Sequence, residues 1–208
     1  MAPARTSSAS AAPALGLRER KKIRTRRAIR QAAYRLFAEQ GYDATPVDRI
    51  AEAAEVSPST VFRYFPTKED IVLTDEYDPL VEEELRARPA GESPVRALRE
   101  ALCSALARMA EDGEVLAETH QRLRLVLDVP AVRARMGEHT ADTCRVLTRA
   151  MSERTGRPLD DPELRVVTAS MLAALTEALL IWAESGLHGT LEDEVRRALD
   201  VLERGLTL

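Results

Sequence analysis

Cysteine is nearly absent. Cys103 and Cys144 are the only two in 208 residues, which excludes a disulfide-stapled fold and suits a reducing compartment. Aromatic residues are scarce at 4%. No uninterrupted apolar run reaches the roughly 18 residues a membrane span needs, so the sequence predicts no membrane partner. The N-terminus lacks the apolar core of at least about 7 residues that marks a signal peptide, leaving an Arg/Ser/Ala-rich transit peptide as the rival reading of that tail. No segment alternates apolar and polar residues as a half-buried strand does, and no internal repeat is visible. Catalytic frames are missing too: there is no Gly-rich phosphate loop, no G-x-S-x-G turn and no Cys/His dyad in a recognisable frame. Glu118 and His120, two apart on a helix, cannot face one site. His120, His139 and His188 form no i, i+4 pair with a third ligand, so no metal site is expected. The expectation is a non-enzyme with no cofactor.

What is present is charge, unevenly placed. The net charge of −4 comes from 30 Lys+Arg and 34 Asp+Glu. Residues 1–68 carry 13 basic against 6 acidic side chains, whereas residues 69–208 carry 17 against 28. The basic excess peaks at 18–30, RERKKIRTRRAIR, with eight basic residues and one acid. Seven of the aromatics lie at or before Tyr77, and only Trp182 follows. Such asymmetry points to a nucleic-acid-facing head joined to a body with a different task.

The patterning is helical throughout. Residues 1–17 are Ala/Ser/Pro-rich and read as a disordered tail. From Arg18 to Gln40 the residues Ile29, Ala32, Ala33, Leu36 and Phe37 fall on one helix face, and Gly41 stops that helix. Thr45-Pro46 predicts a capped start for a second helix, with Val47, Ile50, Ala51 and Ala54 inside. Ser57-Pro58 opens a third that buries Val61, Phe62 and Phe65 in part, before Pro66 ends it. Thr67 caps a fourth over KEDIVLTDEY, and Asp78-Pro79 supplies a break, kink or restart at which motion could pivot. Further helices are expected over 93–111, 114–128, 131–155, 162–185 and from Thr190 to about Gly205. The fold class is all-α, divided into a head over 18–66 and a body over 67–208.

A helix of about eight residues, a short turn and a second helix opened by Ser-Pro describes a helix-turn-helix, whose second helix fits the roughly 12 Å major groove. With the run LFAEQGYDAT…IAEAAEVSPSTVFRYFPTKE in register, residues 18–70 resemble the DNA-binding domain of the tetracycline-repressor (TetR) family. The resemblance implies three N-terminal helices that bind double-stranded DNA and a C-terminal helical domain that binds a small-molecule effector and dimerises. It implies a cytoplasmic repressor released from a palindromic operator. The alternatives are an activator or ligand-independent regulator and, from another class, a helical binding or catalytic protein with a vestigial head. Carried over by position, Thr45 resembles a phosphate contact opening the second helix. Ser57, Pro58, Ser59 and Thr60 lie at the start of the recognition helix. Arg63 and Tyr64 resemble base or backbone contacts, and Lys68 resembles the lysine that grips phosphate. Arg24 and Arg27, in the basic stretch, are candidates for added backbone contacts, against the plainer reading of a solvated face. Glu55 stands where the family's turn has glycine, so a positive φ there costs on the order of 1 kcal/mol.

The C-terminal part says less. The stripe ending at Trp182 reads as core or subunit interface before ligand box, and the resemblance implies a homodimer through helices 162–185 and 190–206. An effector pocket would draw on Cys103, Met109, His120, Arg124, Met136, Cys144 and Trp182, each of which also reads as ordinary core or surface.

Overall fold

A computed structural model describes residues 16–74, 78–186 and 188–207; most of the predicted tail, residues 1–15, lies outside them. The described residues form ten helices and no strand. The head contains α1 (Leu17–Gln40), α2 (Val47–Ala53) and α3 (Pro58–Tyr64), and α4 (Lys68–Leu73), which the sequence division at residue 66 assigns to the body, packs into the head's core. The body contains α5 (Asp78–Ala87), α6 (Pro94–Glu111), α7 (Gly113–Asp128), α8 (Pro130–Thr155), α9 (Pro162–Glu184) and α10 (Leu191–Glu203).

Local chemistry sets the boundaries. Ser57, Thr67, Ser93, Asp112, Asp161 and Thr190 each accept a backbone N–H of the first turn they precede. Pro58, Pro94, Pro130 and Pro162 stand at the first turns, where a missing N–H costs nothing. Gly41 leaves α1 at a φ of 89°, a conformation a side chain would resist. Two boundaries differ from the sequence reading. The second helix begins at Val47 with Pro46 in the capping position, so Thr45 is not its cap. The fourth helix stops at Leu73, where Thr74 turns extended (φ −72°, ψ 113°), and Asp78-Pro79 restarts the chain as α5.

Two apolar clusters hold the molecule. Ile29, Phe37, Ile50, Val61, Phe65 and Ile71 form the head's core, each side chain removed from water contributing about 1.5–3 kcal/mol. Val126 of α7 and Val132 of α8 join the same cluster, so the head is keyed into the body. The second cluster joins α5 through α10 around Leu98, Leu102, Leu147, Met171, Trp182 and Leu199. One expectation is corrected here. The helix α9 is long and apolar enough to cross a membrane by length and composition, with a mean hydropathy of 1.8. Single polar residues such as Thr168 and Thr176 interrupt the apolar run without lowering that average. Leu164, Met171, Leu172, Ala178 and Trp182 bury one face of it inside the body.

Candidate nucleic-acid interface and effector cavity

The recognition helix α3 is held by its start. The Ser57 Oγ accepts the Thr60 N–H at 3.2 Å and lies 2.9 Å from both the Ser59 and Thr60 hydroxyls. Val61 and Phe65 turn inward, which leaves Pro58, Ser59, Phe62 and Arg63 on one exposed face. Phe62 is 50% exposed, against the expectation that it is core. Four residues after Pro58 and therefore next to it on the helix surface, it offers an apolar ring of the kind that meets a thymine methyl. Tyr64 is half-buried against the head's core, with the Arg63 guanidinium 5.3 Å from its ring centre.

The N-terminal half of α1 carries the basic stretch. Arg18, Arg20, Lys21, Lys22, Arg24 and Arg27 are exposed. The other two basic residues of the stretch are structural. Arg26 stacks 5.5 Å over the Phe65 ring and so ties α1 to α3, while buried Arg30 donates to Glu118 of α7 at 3.0 Å.

Two positions carried over as phosphate contacts are used internally. Thr45 is fully buried, and its hydroxyl donates to the Gly41 carbonyl at 2.7 Å. The corner after α1 is folded so tightly that the side chain points back at the helix end, away from solvent. Lys68 Nζ donates to the carbonyls of Tyr42 at 2.8 Å and Thr45 at 3.2 Å and sits 4.0 Å from the Tyr42 ring centre. The Tyr42 hydroxyl donates to Glu69 at 3.0 Å; burial first, then that carboxylate, push its ionisation far above the ordinary tyrosine range. Lys68 therefore clamps the α1–α2 corner from α4.

The body holds a partly open cavity of about 410 Å³ walled by α4, α5, α6, α7, α8 and α9, within the range of small-molecule sites. Leu102, Leu106, Met109, Leu147, Leu172 and Leu175 give it an apolar lining, and Met136 joins them. Polar groups gather from α7 and α8: Arg122, His139, Thr140, Asp142 and Thr143. Leu73 and Thr74, at the end of α4, also face it.

Family comparison follows this geometry. A family model described as "Bacterial regulatory proteins, tetR family" matches residues 29–74, and one described as "MftR C-terminal domain" matches residues 92–207, more than half of the chain. The chain belongs to the TetR family. It is 40% identical over 152 residues to the HTH-type transcriptional regulator TcmR of Streptomyces glaucescens, covering 70% of this chain and 67% of that protein. It is 28% identical over 188 residues to a regulator of Mycobacterium tuberculosis named for mycofactocin biosynthesis, MftR, covering 90% and 93%. The fold is also that of Thermus thermophilus FadR, a TetR-family repressor solved with lauroyl-CoA, at 26% identity and a TM-score of 0.53 over 88% of this chain and 95% of that one. TetR-family members are helix-turn-helix transcriptional regulators that bind DNA operators, act as dimers and respond to small molecules, and this chain is such a transcriptional regulator.

Within this TetR-family chain the expected pocket residues scatter. Met109 and Met136 line the cavity. Cys103 is buried elsewhere, and desolvation, relieved in part by Arg196 and Arg99, pushes its thiol up. Cys144 opens onto a separate surface groove between α8 and α9. His120 packs against Trp182 with the rings tilted by 60° and their centres 4.7 Å apart; burial, then Arg124, hold its imidazole below the ordinary histidine range. Arg124 is exposed. These four and Trp182 do not line this cavity, because side-chain polarity and size do not decide which helix faces converge. The structure also places His139 in the cavity wall and Phe62 on the exposed face of α3, neither of them among the expected site residues. Phe62 carries a local signal, an aromatic one residue from the buried Val61 on a short helix. His139 carries none.

Proposed function

We propose that this chain is a cytoplasmic homodimeric repressor that binds a palindromic operator and releases it when a mostly apolar small molecule enters the body cavity. The observation that carries the reading is the pairing of two features. The head presents an exposed α3 face and six exposed cations on the N-terminal half of α1, and a mostly apolar cavity in the body reaches Leu73 and Thr74 at the end of α4, the helix that follows the reader. Two copies related by a two-fold axis set two α3 helices into successive major grooves about 34–36 Å apart. The dimer forms through α9 and α10. Support comes from the face of α9 turned away from the core, where Val166 and Ile181 are 65% and 46% exposed beside Ala169 and Ala173. Effector binding shifts the spacing only if the cavity differs between the two states, since equal affinity for both shifts nothing.

Selection from a pool of randomised duplexes tests the proposal. The expected product is an inverted repeat whose half-sites lie one helical turn apart, bound by two chains. Recovery of no preferred sequence, or of a single half-site bound by one chain, overturns it.

A further inference from the structure

Asp70 joins the reader to the cavity. It is the third residue of α4, and its carboxylate closes a capping box: Oδ2 accepts the Thr67 N–H at 3.0 Å while the Thr67 hydroxyl accepts the Asp70 N–H at 3.2 Å. The other oxygen, Oδ1, accepts from two groups of α8, Arg135 Nε at 3.2 Å and His139 Nε2 at 3.0 Å. Burial raises the Asp70 carboxyl, but hydrogen bonds from His139, Thr67 and Arg135 outweigh it and hold the group below the usual carboxylate range. An ionised carboxylate only accepts, so His139 Nε2 carries the proton it shares. The same imidazole lines the polar part of the cavity beside Arg122 and Asp142, and the Asp142 carboxylate is engaged by Arg145. One ring thus forms part of the cavity wall and holds the start of α4.

We infer that the effector is an apolar molecule bearing an acceptor oxygen (carboxylate, sulfonate, phenolate or carbonyl) that takes the His139 N–H from Asp70. The inference rests on the cavity being the effector site. Losing that hydrogen bond leaves Arg135 Nε as the single α8 donor on Oδ1 and loosens α4 from α8. The consequence reaches the reader by two contacts already in place. Lys68 of α4 clamps the α1–α2 corner, and Ile71 and Val72 of α4 lie in the head's core. His139 is a positioning residue in this scheme; it need touch no DNA.

Two dyes that brighten in apolar sites test this on the full chain. Anilinonaphthalene sulfonate and N-phenylnaphthylamine share an apolar body, and only the first carries acceptor oxygens. Both are expected to bind saturably, read by fluorescence. Only the sulfonate is expected to raise hydrogen exchange of the amides from Thr67 to Leu73, by about tenfold. His139→Phe is expected to raise that exchange without dye and to abolish the sulfonate's further effect. Arg135→Gln, which leaves His139 and the cavity wall in place, is expected to keep it, and decides the matter if the first variant does not fold. If both dyes bind and exchange rises equally with both, or with neither, the inference fails and the cavity reading stands. If neither dye binds, the cavity reading fails and the inference with it.

Discussion

Glu55 holds a φ of 55°, in the left-handed region that glycine enters freely, at the turn between α2 and α3. The strain was legible only through the family resemblance, because Glu55 stands where the family's turn has glycine. Glu55→Gly is expected to raise stability by about 0.5–1 kcal/mol, the relief of a side chain at positive φ less the extra freedom glycine gains when unfolded. Urea unfolding checks it, and an unchanged or lower midpoint would contradict it. Thr45 and Lys68 show the opposite case. Their residue types and positions suited phosphate contact, yet one is buried and the other is held by two carbonyls and a ring. Sequence position marked them as important without distinguishing a residue that builds the corner from one that touches a ligand.

Among the described helices α4 is the shortest, yet it packs against α1, α7 and α8, with Asp70, Ile71, Val72 and Leu73 all buried. Its start was legible at Thr67; its tie to α8 was not, because Asp70 and His139 are 69 residues apart and no local pattern links them. The Asp70 carboxyl, although raised by burial, is held below its ordinary value by its donors, so folding favours the ionised form. That stabilisation is present in full above the unfolded pKa of about 3.9 and is lost as pH falls toward the folded value. The stability difference between wild type and Asp70→Asn is therefore expected to be constant from about pH 7 to 5 and to shrink below about pH 4. Urea unfolding across that range reads it out. A difference that does not change with pH would remove Asp70 from the account of acid sensitivity.

At the scale of the molecule, most of the helix boundaries were readable because caps, prolines and glycines act over three or four residues. The cavity was not, because its walls come from six helices spread between Leu73 and Leu180. Head and body are joined where α1 meets α7, through Arg30 to Glu118 at 3.0 Å, Gln31 to Glu114 at 2.6 Å and Gln121 to the Tyr34 carbonyl at 2.6 Å, and again where α4 meets α8. The net charge of −4 is the sum of a basic head and an acidic body, so the end carrying α1 and α3 is the one that attracts a polyanion. The most direct test is the salt dependence of binding to the best duplex recovered by selection. With at least about four phosphates neutralised, affinity is expected to fall by about a hundredfold or more between about 50 and 200 mM salt, with a shallower slope for Arg24→Ala/Arg27→Ala. An affinity that stays flat with salt, or a slope unmoved by removing both arginines, would contradict a DNA-reading head built on α1 and α3.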